Sequence, residues 1–260
     1  MRLLYPSDPF DKKRPDEQYA DEFDAAVAAG LQTALFSFED FESGVFKTFP
    51  LLTPGDTMLS RGWMLTPDAY ATLVRHLRDK GAVELTTPEQ YRRCHHLPEW
   101  YPLLVANTSE TVVLAADADF SQALAGLQWP GYFIEDYVKS LNTGVGSLVD
   151  NPEDIAPLIA VMRQYRGQIE GGICVRRRED YREETERRYF VVKGEPYSAD
   201  GEVPALVSEC ARLIDSPFFS VDVVLRSDGV LRIVELGDGQ VSDRKEWSVE
   251  GFVWVLGKVR

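Results

Sequence analysis

Residues 219–240, Phe-Ser-Val-Asp-Val-Val-Leu-Arg-Ser-Asp-Gly-Val-Leu-Arg-Ile-Val-Glu-Leu-Gly-Asp-Gly-Gln, constrain this chain more than any other stretch. Two apolar runs, 219–225 and 230–236, flank Ser227-Asp228-Gly229, a turn signal, so the segment reads as a β-hairpin. Each run carries one acid, Asp222 in the first and Glu235 in the second. An isolated ionised carboxylate in such a run is costly unless something pairs it. If Asp228-Gly229 makes a two-residue turn, Asp222 lies opposite Glu235 on one face, with Cβ atoms about 5 Å apart. A three-residue loop puts the two on opposite faces unless a bulge corrects the register. Like charges side by side ask for a cation between them. Oxygen-only ligands suit Mg²⁺, which takes one or two carboxylates and completes its shell with phosphate oxygens. Asp238 offers a third oxygen. The alternative is a hairpin whose acids simply face solvent.

A length of 260 residues allows one large domain or two to three small lobes with a real core. The formal net charge of −14 speaks against non-specific nucleic-acid or anionic-membrane binding, which want a basic footprint. It leaves room for an anionic substrate held by a local basic cluster. Cys94, Cys174 and Cys210 form no Cys-x-x-Cys pair and leave an odd count, as expected of a reducing cytoplasm. The opening apolar run is too short for a signal peptide, and no stretch approaches a membrane span. The expectation is a cytoplasmic protein. With only His76, His95 and His96, histidine-based metal chemistry has little to work with.

Along the chain, Arg2–Tyr5 reads as a strand, 17–29 as a helix and Leu31–Phe38 as a second strand. A β-α-β opening implies a parallel sheet. Met58–Met64 is a further strand, and Thr66-Pro67-Asp68 caps a helix to about Lys80. Residues 1–84 thus form a small α/β lobe. A short helix opens at Thr87, residues 96–102 read as a Pro-bounded loop, and 111–115 and 131–138 as strands. Asn151-Pro152 starts a helix whose Ile155, Leu158, Ile159 and Met162 share one face. Residues 171–178 and 188–192 read as strands separated by a charged loop at 179–187. An amphipathic helix at 203–214 leads into the hairpin.

Two further groups carry chemistry. Lys139 ends a strand and precedes Ser140–Ser147, a small-residue loop with Thr143, Gly144 and Gly146. Backbone N–H groups of such a loop approach phosphate oxygens while the ammonium adds charge, although the sequence is not a Walker A motif. A plain surface loop is the alternative. Arg188 shares a strand face with Phe190 and Val192, where its guanidinium can meet a phosphate or carboxylate in bidentate fashion, or snorkel to water. Arg176, Arg177 and Arg178 form a basic island. No Ser-His-Asp or Cys-His nucleophile arrangement is supported.

The order of these elements resembles the ATP-grasp superfamily over roughly residues 85–260: lysine and Gly/Ser loop, helix, strand, Glu186-Arg-Arg188, helix, then Asp222 and Glu235 on a terminal hairpin. The resemblance implies an α/β N-terminal lobe followed by an α+β ATP-grasp fold whose two lobes clamp nucleotide. It divides the chain into 1–84, then 85–167 with the phosphate loop, then 168–260 with the metal hairpin. It implies that Lys139 and Ser140–Ser147 bind ATP phosphates and that Arg176–Arg178 hold adenine through backbone groups. Arg188 would contact the transferring phosphoryl, and Asp222 and Glu235 would ligate Mg²⁺. The family's Glu-x-Asn is here Glu235-Leu-Gly237, so the missing oxygen falls to Asp238 or Gln240. The implied activity is a ligase that joins a small-molecule or peptide carboxylate to an amine through an acyl-phosphate. A phosphotransferase on the same fold, or a non-catalytic nucleotide-binding or partner-binding module, are the rival readings.

Overall fold

The computed structural model describes residues 1–138 and 146–259. They form two compact units. The first comprises Met1–Cys94, Arg188–Val221 and Gly237–Arg260, and the second His95–Arg187 and Asp222–Leu236.

The first unit opens with β1 (Arg2–Pro6), β2 (Gln32–Phe36), β3 (Thr48–Phe49), β4 (Thr57–Ser60) and β5 (Val83–Glu84), in the order β3-β2-β1-β4-β5. β1 runs parallel to both β2 and β4, so that Leu4 faces Ala34 on one side and Ser60 on the other. β5 continues the parallel set, and only the edge strand β3 is antiparallel. Alternate residues serve opposite faces. Leu3, Tyr5 and Leu59 pack with Phe190, Phe218 and Phe252, while Leu4, Ala34 and Met58 pack with Leu73, Val74 and Leu77. Burial on both faces explains the continuous apolar run at the start of the chain. The helix Pro67–Asp79 starts at Thr66, whose hydroxyl accepts the Ala69 N–H, with proline in the first turn as expected.

The second unit contains β6 (Thr111–Leu114), β7 (Tyr132–Asp136), β8 (Leu148–Val149) and β9 (Ile173–Arg177), in the order β6-β9-β7-β8. Its strands pair antiparallel, with Val175 opposite Val112 on one side and Ile134 on the other. Ile155, Leu158, Ile159 and Met162 of the helix Ile155–Arg166 pack against this sheet's Ile134, Ile173 and Val175. Gly172 is required here, because a Cβ would stand 2.6 Å from the Leu114 carbonyl oxygen.

Two expectations need correction. Residues 96–102 belong to a helix, Leu97–Leu104, with one proline in its first turn and Pro102 inside. Burial of Leu97, Trp100 and Leu104 on one face outweighs the proline signal. The charged stretch 179–187 largely belongs to β10 (Tyr181–Val192), whose first half is mostly exposed and so shows no apolar alternation. The two units are not continuous segments, because β10, β12 (Phe218–Arg226) and β13 (Leu231–Asp238) each pass from one unit into the other. With β11 (Glu195–Tyr197) these strands have the order β11-β10-β12-β13. The terminal helix Val249–Lys258, capped by Ser248, was not foreseen. No helix among the described residues is long and apolar enough to cross a membrane.

A buried ion pair organises the first unit. Arg61, just past β4, donates through Nε and Nη2 to Glu22 at 2.7 and 2.9 Å. Its Nη1 donates to the carbonyls of Gly239, Gln240 and Ser242. Burial pushes the guanidinium pKa down, but the Glu22 carboxylate more than offsets this and the net shift is upward. Replacing Arg61 by alanine strands the Glu22 carboxylate in the interior. We expect a loss of about 3–5 kcal/mol of stability, the usual result of removing one partner of a buried pair. Urea unfolding of Arg61→Ala beside wild type measures it, and a loss below about 1 kcal/mol contradicts this account.

Candidate active site

The hairpin tip answers the question of loop length. The Arg226 N–H donates to the Val230 carbonyl at 2.8 Å, and the Gly229 N–H donates to the Arg226 carbonyl at 2.8 Å. Gly229 has φ +90°, the left-handed conformation that glycine tolerates. This is the three-residue loop with a glycine bulge, not the two-residue turn. At the far end the Gly239 N–H donates to the Phe218 carbonyl. Between these bonds β13 contains one residue more than β12. The burial alternation of β13 slips at the same place: Ile233 and Leu236 are both buried, three positions apart. An inserted residue in β13 is the correction that a three-residue loop demands if the two acids are to share a face. Asp222 is buried and Glu235 exposed.

Side chains fix the strand on either side of that slip. Arg176, nearly buried, donates to the Val234 carbonyl at 2.8 Å, to Glu135 at 3.0 Å and to the Thr108 hydroxyl at 2.7 Å. Thr108 in turn donates to the Ile233 carbonyl, and the Ile233 N–H donates to Asn107. Glu179 accepts from Arg226 at the end of β12 and from Arg232 at the start of β13. Burial pushes the Glu135 carboxyl up and Arg176 counters it only in part. The carbonyl next to Glu235 is therefore held by a guanidinium with little freedom of its own.

The other two arginines of the basic island have partners of their own. The N–H groups of Arg177 and Arg178 already donate to Glu110 and Gly131, so those two amides are spent within the sheet rather than on a base. The Arg178 side chain goes to Asp150 and the Pro130 carbonyl. Glu179, Thr108 and Arg232 were not singled out from sequence. The one available signal was an acid directly after three arginines.

Lys139, Ser140, Thr143 and Gly144 lie outside the described residues. Gly146, just beyond, has φ +71° and open space where a Cβ would stand. The strand leading into the segment is well anchored. Asp136, at the end of β7, accepts the N–H groups of Val138 and Glu170.

In the first unit, Arg188 is nearly buried. Its Nη1 donates to the Asp243 carboxylate at 2.6 Å, and that carboxylate is mostly exposed. Its backbone is fixed on both sides: its N–H donates to Glu246 and its carbonyl accepts from the Trp247 indole. Asp238 and Gln240 are enclosed. Asp238 Oδ1 accepts from the Gln240 N–H at 2.9 Å and from Gln240 Nε2 at 3.0 Å, while Oδ2 has no hydrogen-bond partner. Gln240 also donates to the Tyr70 hydroxyl and accepts from the Ser60 N–H. Among the described residues no three His, Cys, Asp or Glu side chains are grouped to hold a metal ion. Gln240 and Oδ1 of Asp238 are thus engaged with one another and with neighbours in the fold.

Residues 105–256 match the family described as ATP-grasp domain, R2K clade family 3. The chain belongs to this ATP-grasp family. No curated protein sequence matches it. Among solved structures, the RimK domain protein ATP-grasp from Sphaerobacter thermophilus superposes with a TM-score of 0.62 at 19% identity, covering 97% of this chain and 98% of that one. D-cycloserine synthetase DcsG gives 0.61 at 14% identity, with all of both chains covered. The ATP-grasp ligase PsnB, solved with a minimal precursor, Mg and ADP, gives 0.63 at 11%, covering 99% and 96%. At such identities the likeness is one of fold, and it embraces the N-terminal sheet as well as the ATP-grasp part.

Asp238 itself yields a test. Burial pushes its carboxyl up to about 7, with the hydrogen bonds from Gln240 only partly opposing. The folded state therefore keeps a proton that the unfolded chain loses near pH 4. Its contribution to stability is fully present below pH 4 and falls as pH rises towards 7, by about 1.4 kcal/mol per pH unit for one proton. Asp238→Asn keeps the acceptor oxygen and removes the proton. We expect its stability relative to wild type to rise between pH 4 and 7, measured by urea unfolding at each pH. A constant difference across that range rules out the buried proton.

Proposed function

We propose that the protein is a Mg²⁺-dependent, ATP-consuming ligase that joins a carboxylate to an amine. The observation that carries this reading is the hairpin of an ATP-grasp chain that presents one acid on each of two paired strands, its register adjusted by an inserted residue. Asp222 and Glu235 are oxygen donors only. A pair of them suits Mg²⁺ completed by phosphate oxygens better than a metal held by protein alone. Mg²⁺ bound there would neutralise charge on the nucleotide phosphates. Lys139 and the following segment, with Ser140, Thr143, Gly144 and Gly146, bind phosphate oxygens in this reading. Arg176 holds β13 in register beside Glu235 instead of meeting adenine, and Asp238 organises the turn instead of binding the metal.

Arg188 faces the phosphoryl in transit. One of its partners, the Asp243 carboxylate, is mostly exposed and can yield to an incoming anion. The substrate carboxylate attacks the terminal phosphorus and ADP leaves. The amine then attacks the acyl carbon, phosphate departs, and the amine gives up a proton. Neighbours in fold support the substrate range: PsnB is described with a precursor peptide, and another neighbour is a D-alanyl-alanine synthetase. A small-molecule or peptide acid and amine fit this range.

Glu235 is exposed, so Glu235→Ala should leave stability within about 0.5 kcal/mol while abolishing Mg²⁺-dependent, amine-stimulated ADP release. Activity that survives this change removes the hairpin from the metal site. Arg188→Ala should keep ATP affinity within about tenfold, roughly 1.4 kcal/mol, yet lower turnover about a hundredfold, because a donor aimed at the transition state acts on the chemical step. Arg188→Lys should recover little, since an ammonium lacks the guanidinium fork. Nucleotide titration beside coupled ADP release distinguishes these outcomes, and full turnover in Arg188→Ala would falsify its role.

A further inference from the structure

In the second unit the chain is gripped just where its ladder ends. Asp136 opposite Ile173 is the last register pair at the end of β7. Beyond it, side chains and loop groups take over from the sheet. The Asp136 carboxylate accepts the Val138 N–H at 2.9 Å and the Glu170 N–H at 3.1 Å. The Tyr137 N–H donates to the Glu170 carbonyl at 3.2 Å, and the Leu97 N–H donates to the Tyr137 carbonyl at 2.8 Å. The tyrosine ring fills space that two glycines leave open: a Cβ on Gly171 would stand 2.1 Å from it, and one on Gly172 3.1 Å.

His96 and Glu170 complete the grip. His96 Nε2 lies 3.0 Å from the Glu170 carboxylate, which only accepts, so this nitrogen carries the proton. The His96 ring meets the Tyr137 ring at 5.7 Å, inclined by 63°. Both partners are only partly buried, and the core of this sheet is built by Ile134, Ile155, Ile173 and Val175 instead. A pair placed like this adds little to stability. What it fixes is orientation. Glu170 holds the Tyr137 N–H through its carbonyl and the imidazole through its carboxylate, while Leu97, directly after His96, holds the Tyr137 carbonyl. Tyr137 is thus located from both of its peptide bonds and from its ring. Val138 follows it, and the next residue in sequence is Lys139.

We infer that His96 and Glu170 are positioning residues for the triphosphate of the nucleotide: by holding Tyr137 they set the course of the chain at Val138, one residue before the lysine that binds phosphate oxygens. The inference rests on that reading of Lys139 and not on amide formation. Misplacing a group by about 1 Å through a change elsewhere in the fold can cost about a hundredfold. The test is isothermal titration of the full chain with ATP and, separately, AMP, each with Mg²⁺, beside urea unfolding of every variant. AMP lacks the two outer phosphates, so it reports the rest of the nucleotide site. Wild type should prefer ATP, and Lys139→Ala should lose that preference. His96→Ala and Glu170→Ala should each weaken ATP by at least about tenfold and AMP by no more than about twofold. The double variant should be no worse than either single one, because the two side chains act as one unit. His96→Gln, which restores an N–H donor to Glu170, should recover most of the loss. If wild type binds ATP no better than AMP, or Lys139→Ala keeps the preference, the phosphate reading fails and the inference with it. If Lys139→Ala loses the preference while His96→Ala and Glu170→Ala keep it, the reading stands and the inference is overturned. Equal weakening of ATP and AMP in both variants also overturns it, since a merely structural role predicts that pattern.

Discussion

The Arg61–Glu22 pair is the interaction on which the first unit depends. One guanidinium satisfies a carboxylate from the helix Ala20–Ala28 and three carbonyls from the segment after β13. Those carbonyls lie past the end of β13. Two buried groups that each cost several kcal/mol alone become tolerable together because the planar fork meets all of its acceptors at once. The same contact brings Gln240 against Ser60 and Tyr70, which ties the exit of the hairpin to the end of β4.

The second unit solves a similar problem with different residues. Arg176 and Glu179 lie three positions apart and both reach the hairpin. One takes a carbonyl of β13, and the other takes arginines from both hairpin strands. In a chain with net charge −14, arginines are concentrated where acids and carbonyls must be gathered inside. Of the basic island, Arg176 takes part in that gathering. Arg188, nearly buried itself, has a mostly exposed carboxylate, Asp243, among its partners.

Much of the architecture was legible in the sequence because apolar periodicity and caps agreed. The parallel opening, the Thr66-capped helix and the hairpin are examples. What escaped was structure whose stabilising partners are distant in sequence. β10 begins as a polar strand wet on its outer half, so period-two burial gave no signal. The helix Leu97–Leu104 contains two prolines, and the burial of Trp100 decides it. At the site, the type of residue was readable and the neighbours were not. Asp238 looks like a ligand by position, yet its enclosure by Gln240 depends on a fold contact with Tyr70, 170 positions away from Gln240. The bulge in β13 is likewise invisible in composition, since an inserted residue changes no property except count.

That count has a consequence for how this hairpin can vary. The side on which Glu235 emerges relative to Asp222 depends only on whether the number of residues between them is matched by the loop and the slip in β13. It behaves as a parity bit. A single deletion in the loop or in the strand inverts it, and one deletion in each restores it. Length changes in this hairpin are thus tolerated in compensating pairs, a constraint set by backbone counting and indifferent to which side chains fill the intervening positions.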